Sequence, residues 1–312
     1  MTKILKSALL GAALLGTAMT GSAVADGTSP AFPFAATGFL SGGGSWLEAD
    51  KCGGPGCESD IATIVGGGDF VIPVTGYWNI QLGGAWRWDE TSLFFGSMTN
   101  TQFQGGGIGF WRDPAMGLFG IEAGLYSSSE FSPSKRVFDF GQDYVKLGGV
   151  AEYYFSDMVT IGGFGGVLIP TDSTPFGSGG TEIDDGFYAG GQLTYYATDN
   201  FAFSAIARFM ELNVSNPGFD SRTQQALHVG GEVRYLTAMS GVEFFAYGGY
   251  SSCEEEFSRQ GQSFSSLTDG AEVLGGIRIH LGGRDGRLVD IDRSNSLDTR
   301  AWSCAGIRGG FM

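Results

Sequence analysis

The sequence is short of charged residues. Asp, Glu, Lys and Arg make up 16% of its 312 residues, whereas a soluble domain carries about 25%. Basic residues are fewer than acidic ones, with 18 Lys and Arg against 33 Asp and Glu, and the formal charge is −15. So acidic a chain repels nucleic-acid phosphates, which argues against nucleic acid as a partner. The scarcity of charge also indicates that much of the surface does not face water.

Long apolar runs are missing as well. After residue 25, no stretch reaches the roughly eighteen apolar residues that a membrane-spanning helix needs. Residues 1–25 instead have the pattern of a cleavable signal peptide, with Lys3 and Lys6 before a short apolar core and an A-x-A motif at 23–25. A retained anchor is the alternative, but no stop-transfer pattern follows. Removing this segment takes away two lysines and no acid, so the formal charge becomes −17.

The residue patterns of common enzymes are absent. The sequence has no Gly-Lys pair, which a Walker A loop requires, and no G-x-S-x-G nucleophile elbow. The two histidines, His228 and His280, do not begin an H-E-x-x-H motif. We therefore expect no enzymatic activity, no catalytic residue, no cofactor and no metal site.

Cysteines are few and unevenly placed. Cys52 and Cys57 bracket Gly-Gly-Pro-Gly, and we predict a small disulfide between them, which an exported compartment permits. A metal site is the alternative, although two thiols without a nearby histidine are an incomplete ligand set. Cys253 and Cys304 are far apart in sequence, and the pattern predicts no pairing for them.

Glycine, aromatic residues and alternating runs are plentiful. Glycine accounts for 54 residues and aromatics for 13%. Runs that alternate apolar and mixed residues have the period of β-strands, because successive strand side chains point to opposite faces. Twelve such strands are predicted, at 38–48, 60–72, 77–88, 101–111, 118–126, 142–155, 159–169, 186–196, 201–210, 225–235, 242–250 and 270–281. We expect a lead-in at 26–37, a barrel at 38–281 and a charged, aperiodic tail at 282–312.

The connections between these strands alternate in length. Those after even-numbered strands are short, and those after odd-numbered strands are longer, at 49–59, 89–100, 127–141, 170–185, 211–224 and 251–269. Short turns on one side and long loops on the other are typical of an outer-membrane β-barrel. The predicted fold is therefore all-β, a closed antiparallel up-and-down transmembrane barrel of about 12 strands. A soluble β-sandwich also alternates and is the alternative.

Charge placement supports the barrel, since one parity of each strand holds all the interior charges. That parity is predicted to line the lumen, through Asp69, Arg87, Glu122, Lys146, Glu152, Gln192, Arg208, His228, Glu232, Arg234, Glu243, Glu272, Arg278 and His280. A charge facing lipid near the midplane costs roughly 2–4 kcal/mol, so this segregation is expected if the other face meets lipid. Pairs such as Glu232/Arg208 and Glu243/Arg234 lie on adjacent strands and are predicted to approach each other.

Aromatic residues gather near the strand ends on the apolar parity. Trp78, Trp88, Trp111, Tyr153, Tyr195, Phe201 and Tyr235 are predicted to form girdles at the membrane interfaces. Gly-Gly pairs recur in mid-strand, among them 148–149, 190–191 and 230–231. They could permit strong bending of the wall, or leave room for large lumen residues of neighbouring strands.

The stretch GGGDFVIPVTGYWNIQL at 66–82, the leader and the strand at 275–281 resemble Gram-negative outer-membrane β-barrel proteins of the porin-like type. The resemblance covers nearly the whole mature chain and is specific to the class. It implies an outer-membrane location, contact with outer-membrane lipid and lipopolysaccharide, and recognition by the barrel-assembly machinery. Family members usually end the chain with an aromatic assembly signal, and here a tail follows the last strand instead.

The leading functional expectation is a narrow passive diffusion channel for small solutes or ions. A non-conducting structural or adhesive barrel, whose loops at 127–141, 170–185 and 251–269 meet partners, is the alternative, and an outer-membrane lipid hydrolase is a third. Acidic loop residues at 184–185 and 254–256 could bind divalent cations or be merely solvated. The tail at 282–312 is expected in the periplasm.

Overall fold

A computed structural model describes residues 35–49, 58–93, 96–131, 143–171, 182–215, 221–239, 241–259, 262–282 and 287–293. Each strand pairs antiparallel with its sequence neighbours, and the first strand pairs with the last, so the sheet closes on itself. The predicted closed up-and-down barrel of twelve strands is confirmed. The strands are β1 (Ala35–Ala49), β2 (Glu58–Thr75), β3 (Trp78–Leu93), β4 (Gly96–Asp113), β5 (Gly117–Phe131), β6 (Asp143–Ser156), β7 (Val159–Pro170), β8 (Glu182–Thr198), β9 (Phe201–Ser215), β10 (Ser221–Leu236), β11 (Val242–Arg259) and β12 (Gln262–Gly282).

A short helix, α1 (Leu288–Asp292), follows the barrel. Within the described part of the chain, no helix is long and apolar enough to cross a membrane.

The connections at one end of the barrel are tight turns built by local chemistry. The β2–β3 turn contains Gly76, whose φ of 53° is a left-handed conformation that glycine adopts without steric cost. The Asp113 carboxylate accepts a hydrogen bond from the amide of Ala115 at 2.8 Å, and the Ser156 hydroxyl accepts one from the amide of Met158 at 3.1 Å. Such side-chain bonds two residues along the chain are what favour Asp and Ser in turns. This end is called the turn side below, and the opposite end the loop side.

The strands run further toward the loop side than the sequence predicts. β3 continues to Leu93 and β4 begins at Gly96, so the predicted loop at 89–100 is largely strand. The predicted loop at 251–269 is wrong for the same reason, because Arg259 pairs directly with Gln262. The ladder continues there without an alternation of apolar residues, and backbone pairing needs no such alternation. Most of the predicted loops at 127–141 and 170–185 lies outside the described residues. At the other end, β1 begins at Ala35, inside the predicted lead-in.

The outer face of the barrel is an apolar band. Side chains such as Ile121, Phe155 and Val273 are 75%, 69% and 67% exposed, although they are large and apolar. In β12 the band runs from Leu281 to Ala271, ten residues along the strand, which corresponds to a height of roughly 23 Å for a strand tilted by about 45°. That height matches the apolar belt of outer-membrane barrels.

The first charged residues of the outer face lie on the loop side of this band. They are all carboxylates: Glu48, Asp60, Glu90, Asp143, Asp185, Glu211, Glu254 and Asp269. The transition from apolar to acidic side chains marks the upper edge of the band. The barrel wall therefore extends beyond the lipid on the loop side.

Aromatic rings mark the edges of the band. Trp78, Tyr153, Tyr195 and Tyr235 are exposed on the outer face near the turns. Trp111 stacks on Phe119 at 5.2 Å between ring centroids, in a group that also includes Trp78. Phe201 packs edge-on against Phe203 at 4.9 Å, and Trp88 lies half-buried on the outer face toward the loop side. These are the seven positions that the sequence assigns to the girdles.

Candidate functional site

The fourteen residues predicted to line the lumen all lie on the inner face of the barrel, and each is buried or half-buried. The structure divides most of them into three charged clusters on different parts of the wall. Asp69, Glu152, Gln192 and Arg208 lie between these clusters and line the cavities described below.

The first cluster lies on β10, β11 and β12. Arg278 donates hydrogen bonds to Glu232 at 3.0 Å and to Glu243 at 2.7 Å. Arg234 lies 3.5 Å from Glu232, and its predicted approach to Glu243 is 4.0 Å. His280 completes the cluster, with one ring nitrogen 3.2 Å from Glu243 and the other 3.1 Å from the Thr37 hydroxyl. Glu243 is therefore surrounded by three basic side chains, which compensates the cost of burying its charge.

The second cluster crosses from β3 to β12. Arg87 binds the Asp89 carboxylate at 2.9 Å and Glu272 at 2.7 Å. The Thr63 hydroxyl donates to Asp89 at 2.7 Å. Sequence reasoning placed Asp89 in a loop and so missed it. Its alternation with Arg87 was the available signal, because residues two apart share a face.

The third cluster spans β5, β6 and β8. Lys146 lies 3.1 Å from Glu122, which is fully buried. The Tyr188 hydroxyl donates a hydrogen bond to the other oxygen of Glu122. Because β6 and β7 lie between β5 and β8, the Tyr188 side chain extends along the inner wall over two strands to reach Glu122.

The remaining histidine, His228 of β10, belongs to a hydrogen-bonded group on the inner face. One ring nitrogen lies 2.6 Å from the Ser251 hydroxyl, and the other bonds the Tyr247 hydroxyl. The imidazole also stacks on the Tyr247 ring at 5.8 Å. These contacts satisfy both nitrogens.

Apolar and aromatic side chains also fill part of the lumen, which the sequence did not predict. Tyr126 and Tyr144 stack at 4.5 Å and 9°, and the Tyr144 hydroxyl points to the sulfur of Met210 at 3.9 Å. Tyr188 and Phe164 belong to the same buried cluster. All these residues share the parity of the lumen charges, so the alternation could have located them. It could not show which of these side chains contact one another.

Cys253 is also buried in this filling and is disulfide-bonded. The other three cysteines, and with them the predicted Cys52–Cys57 bond, lie outside the described residues.

In several Gly-Gly pairs, the inner-face glycine makes room for a large side chain of the lumen. A Cβ at Gly148 would lie 2.3 Å from the Tyr188 hydroxyl, and one at Gly190 the same distance from the Phe164 ring. A Cβ at Gly230 would lie 2.1 Å from the Tyr247 hydroxyl. Rings therefore lie flat across the neighbouring strands, which is the second of the two explanations that the sequence left open.

The described residues enclose at least two cavities in the lumen. The larger, of about 210 Å³, lies nearer the turns and is lined by Asp69, Glu122, Lys146, Arg234 and other side chains. We call it the turn-side cavity. The smaller, of about 100 Å³, is lined by Arg87, Arg208, His228 and Glu272 among others, and we call it the loop-side cavity. Ile206, Glu232 and Arg278 line both cavities, so the Glu232–Arg278 ion pair stands where the two meet.

The turn-side end of the lumen is occupied by α1. Leu288, Val289 and Ile291 of the helix are buried and pack in one cluster with Tyr196, Ala202 and Leu236 on the inner faces of β8, β9 and β10. Sequence reasoning placed this segment in a periplasmic tail and missed the contact. Among the described residues, no three His, Cys, Asp or Glu side chains converge as a metal site.

A closed antiparallel barrel with an apolar outer band, aromatic edges and an ion-paired interior defines a class of membrane protein. The chain is a transmembrane β-barrel of the outer-membrane class. No family model matches the chain, and no curated protein sequence is significantly similar to it.

Solved structures with a similar fold include outer-membrane proteins of different kinds. An outer membrane channel from Pseudomonas putida F1 is 10% identical, with a TM-score of 0.49 over 82% of this chain and 99% of that one. A Pseudomonas aeruginosa FadL homologue is 9% identical, with a TM-score of 0.40 over 80% and 92%. The translocator domain of the autotransporter NalP from Neisseria meningitidis is 11% identical, with a TM-score of 0.44 over 88% and 97%. Similarity at this level assigns no function.

Proposed function

We propose that the protein is a narrow passive channel for small polar solutes or ions in the outer membrane. The observation that carries the proposal is the pair of cavities that are bordered by charged side chains and share Glu232 and Arg278. A barrel that served only as a scaffold would gain more from an apolar core, because burying ion pairs contributes little to stability. Charged side chains that border cavities can instead stabilise a passing solute.

The Glu232–Arg278 pair is the proposed constriction of this channel. Both side chains are held by further partners, Arg234 for Glu232 and Glu243 for Arg278. A charged solute passing this point exchanges its hydration for these groups, and rings of charged side chains set selectivity in this way. Because one acid and one base face each other, neither sign of ion is favoured strongly in the intact pair.

The test is single-channel recording of the refolded protein with one charge of the pair removed at a time. Glu232→Gln leaves a net positive constriction and is expected to shift selectivity toward anions, whereas Arg278→Gln is expected to shift it toward cations. Glu256→Gln is the matched control, because Glu256 is exposed on the outer face of β11. Identical selectivity in all three variants would refute the constriction.

A non-conducting structural or adhesive barrel is the second candidate. The stacked tyrosines and the docked helix favour it, since both fill parts of the lumen. Liposome swelling separates the two candidates, because a filled barrel admits no solute at any concentration. We propose no catalytic role, since His228 and His280 both lie on the inner face of the barrel and not on the surface that meets lipid.

The apolar band and its aromatic edges favour contact with outer-membrane lipid and lipopolysaccharide as part of this proposal. Recognition by the barrel-assembly machinery and export through a cleavable signal peptide belong to it as well. Fractionation of cells that express the full chain tests the location. Release of the protein without detergent would contradict it.

A further inference from the structure

The helix α1 fits the inner face of the barrel through a matched set of apolar and polar contacts. Its three apolar residues are almost fully buried, at 0%, 4% and 7% exposure for Leu288, Val289 and Ile291. They lie against Tyr196, Ala202 and Leu236, which the strand alternation would otherwise leave facing the lumen. An apolar patch inside a lumen is costly when it faces water, so the helix and the patch stabilise each other.

The polar contacts anchor both ends of the helix. The Leu288 amide donates to the carbonyl of Asp199 in the β8–β9 turn at 2.7 Å. At the other end, Asp292 accepts a hydrogen bond from Arg234 at 2.8 Å and one from the Tyr196 hydroxyl at 2.7 Å. The guanidinium of Arg293 lies over the Tyr154 ring at 4.3 Å. The segment is therefore held to β6, β8, β9 and β10 together.

A helix of five residues has no stability of its own, because nucleation costs more than one turn of hydrogen bonds returns. The Arg287 cap residue is extended and makes no side-chain cap bond. The helical conformation of Leu288–Asp292 therefore depends on docking. Such a segment has two natural states, docked and folded or released and unfolded.

The docked helix also borders the lumen. Asp292 lines the turn-side cavity beside Arg234, so the docked helix forms part of the wall of that cavity. Arg234 in turn lies 3.5 Å from Glu232 of the constriction. The helix therefore both occupies the turn-side end of the lumen and contacts the charge network of the proposed constriction.

We propose that α1 is an autoinhibitory plug, which in its docked state closes the turn-side end of the lumen and opens the lumen when it is released. The proposal rests on the channel function proposed above. Asp292 holds the helix in the docked state, because it is the helix carboxylate that bonds residues of the barrel wall. The Arg234–Asp292 pair then serves the closed state, and its loss favours the open one.

The two aspartates of the helix provide a matched comparison. Asp290 is bonded to Arg287, its neighbour in sequence, at 2.8 Å, whereas Asp292 bonds residues of the wall. Asp292→Asn weakens charge-assisted bonds and is expected to release the helix about tenfold more often. Asp290→Asn is expected to behave as the wild type. Leu288→Asp is a second releasing variant, since it places a charge in the apolar patch.

Two readouts on the full-length refolded protein test the plug. Hydrogen exchange at 288–292 reports docking, and single-channel recording reports opening. The plug predicts faster exchange and longer openings in Asp292→Asn and Leu288→Asp, and neither change in Asp290→Asn. Suppose that the wild type conducts, and that both releasing variants exchange faster but have openings of the same length as the wild type. That result refutes the plug and leaves the proposed channel function intact. If exchange accelerates and no variant conducts, the channel function itself is refuted and the plug with it.

Discussion

Adjacent glycines in β8 allow the packing of the lumen to be tested by one methyl group at a time. Gly190 faces the lumen, and a Cβ there would lie 2.3 Å from the tip of the Phe164 ring and within 2.9 Å of two further ring atoms. Gly191 faces lipid, and its nearest neighbour to an added Cβ is the carbonyl oxygen of Gly162 at 3.4 Å. Gly190→Ala therefore forces a buried ring to move, whereas Gly191→Ala requires no adjustment.

The two effects have opposite signs. Replacing glycine by alanine in a strand gains about 0.5–1 kcal/mol, because the unfolded chain loses conformational freedom. Overpacking a filled interior costs about 1–3 kcal/mol. Phe164 is 8% exposed and packs against Tyr188 at 6.2 Å, so it has little space to move into. We expect Gly190→Ala to lower the free energy of unfolding by about 1–2 kcal/mol and Gly191→Ala to leave it unchanged or slightly higher.

Urea unfolding in lipid vesicles, followed by the loss of the heat-modifiable band on electrophoresis, measures this difference. The comparison is internal, since both variants change the same residue type on neighbouring positions of one strand. Equal stability of the two variants would refute the idea that inner-face glycines make room for lumen rings. It would favour the alternative that the Gly-Gly pairs serve to bend the wall.

Two further substitutions test the division between the inner and outer faces. Arg87→Met leaves the buried carboxylates of Asp89 and Glu272 without their shared cation, and we expect it to cost about 3–5 kcal/mol in urea unfolding. Adding Glu272→Gln to Arg87→Met should reduce this loss of unfolding free energy. If the effects of the two substitutions simply add, the coupling is contradicted. Ile277→Lys places a cation on the lipid face of β12 and is expected to destabilise the barrel by about 2–4 kcal/mol; an unchanged unfolding midpoint would contradict the assignment of that face to lipid.

The number of strands and the direction of each side chain could be predicted from the sequence. Apolar residues must face lipid and charged residues must face the lumen, so the two kinds alternate along each strand with a period of two. The ends of the strands do not follow. Beyond the apolar band, polar residues such as Glu254 and Ser265 take the place of apolar residues on the outer face, so the alternation disappears. Backbone hydrogen bonds continue the ladder there without any side-chain pattern. Predictions based on apolar alternation therefore stop at the edge of the lipid.

The contents of the lumen follow only in part. Alternation locates Glu232, Arg278 and Tyr188 on the inner face, but it does not tell which inner-face residues contact one another. Tyr188 reaches Glu122 three strands away along the sheet, and that contact depends on the space above Gly148. The helix α1 was not predicted because its five residues, LVDID, are too few to show a helical period. Its partners Tyr196 and Arg234 are also 96 and 58 residues away from Asp292 in sequence.

Single-channel recording of the full-length, heat-modifiable protein tests the central claim that the lumen conducts. Wild type and Leu288→Asp are recorded side by side in the same planar bilayers. The account predicts small, brief ion steps in the wild type and longer openings of the same channel in Leu288→Asp. The absence of steps from both proteins, each shown to be folded, would contradict it.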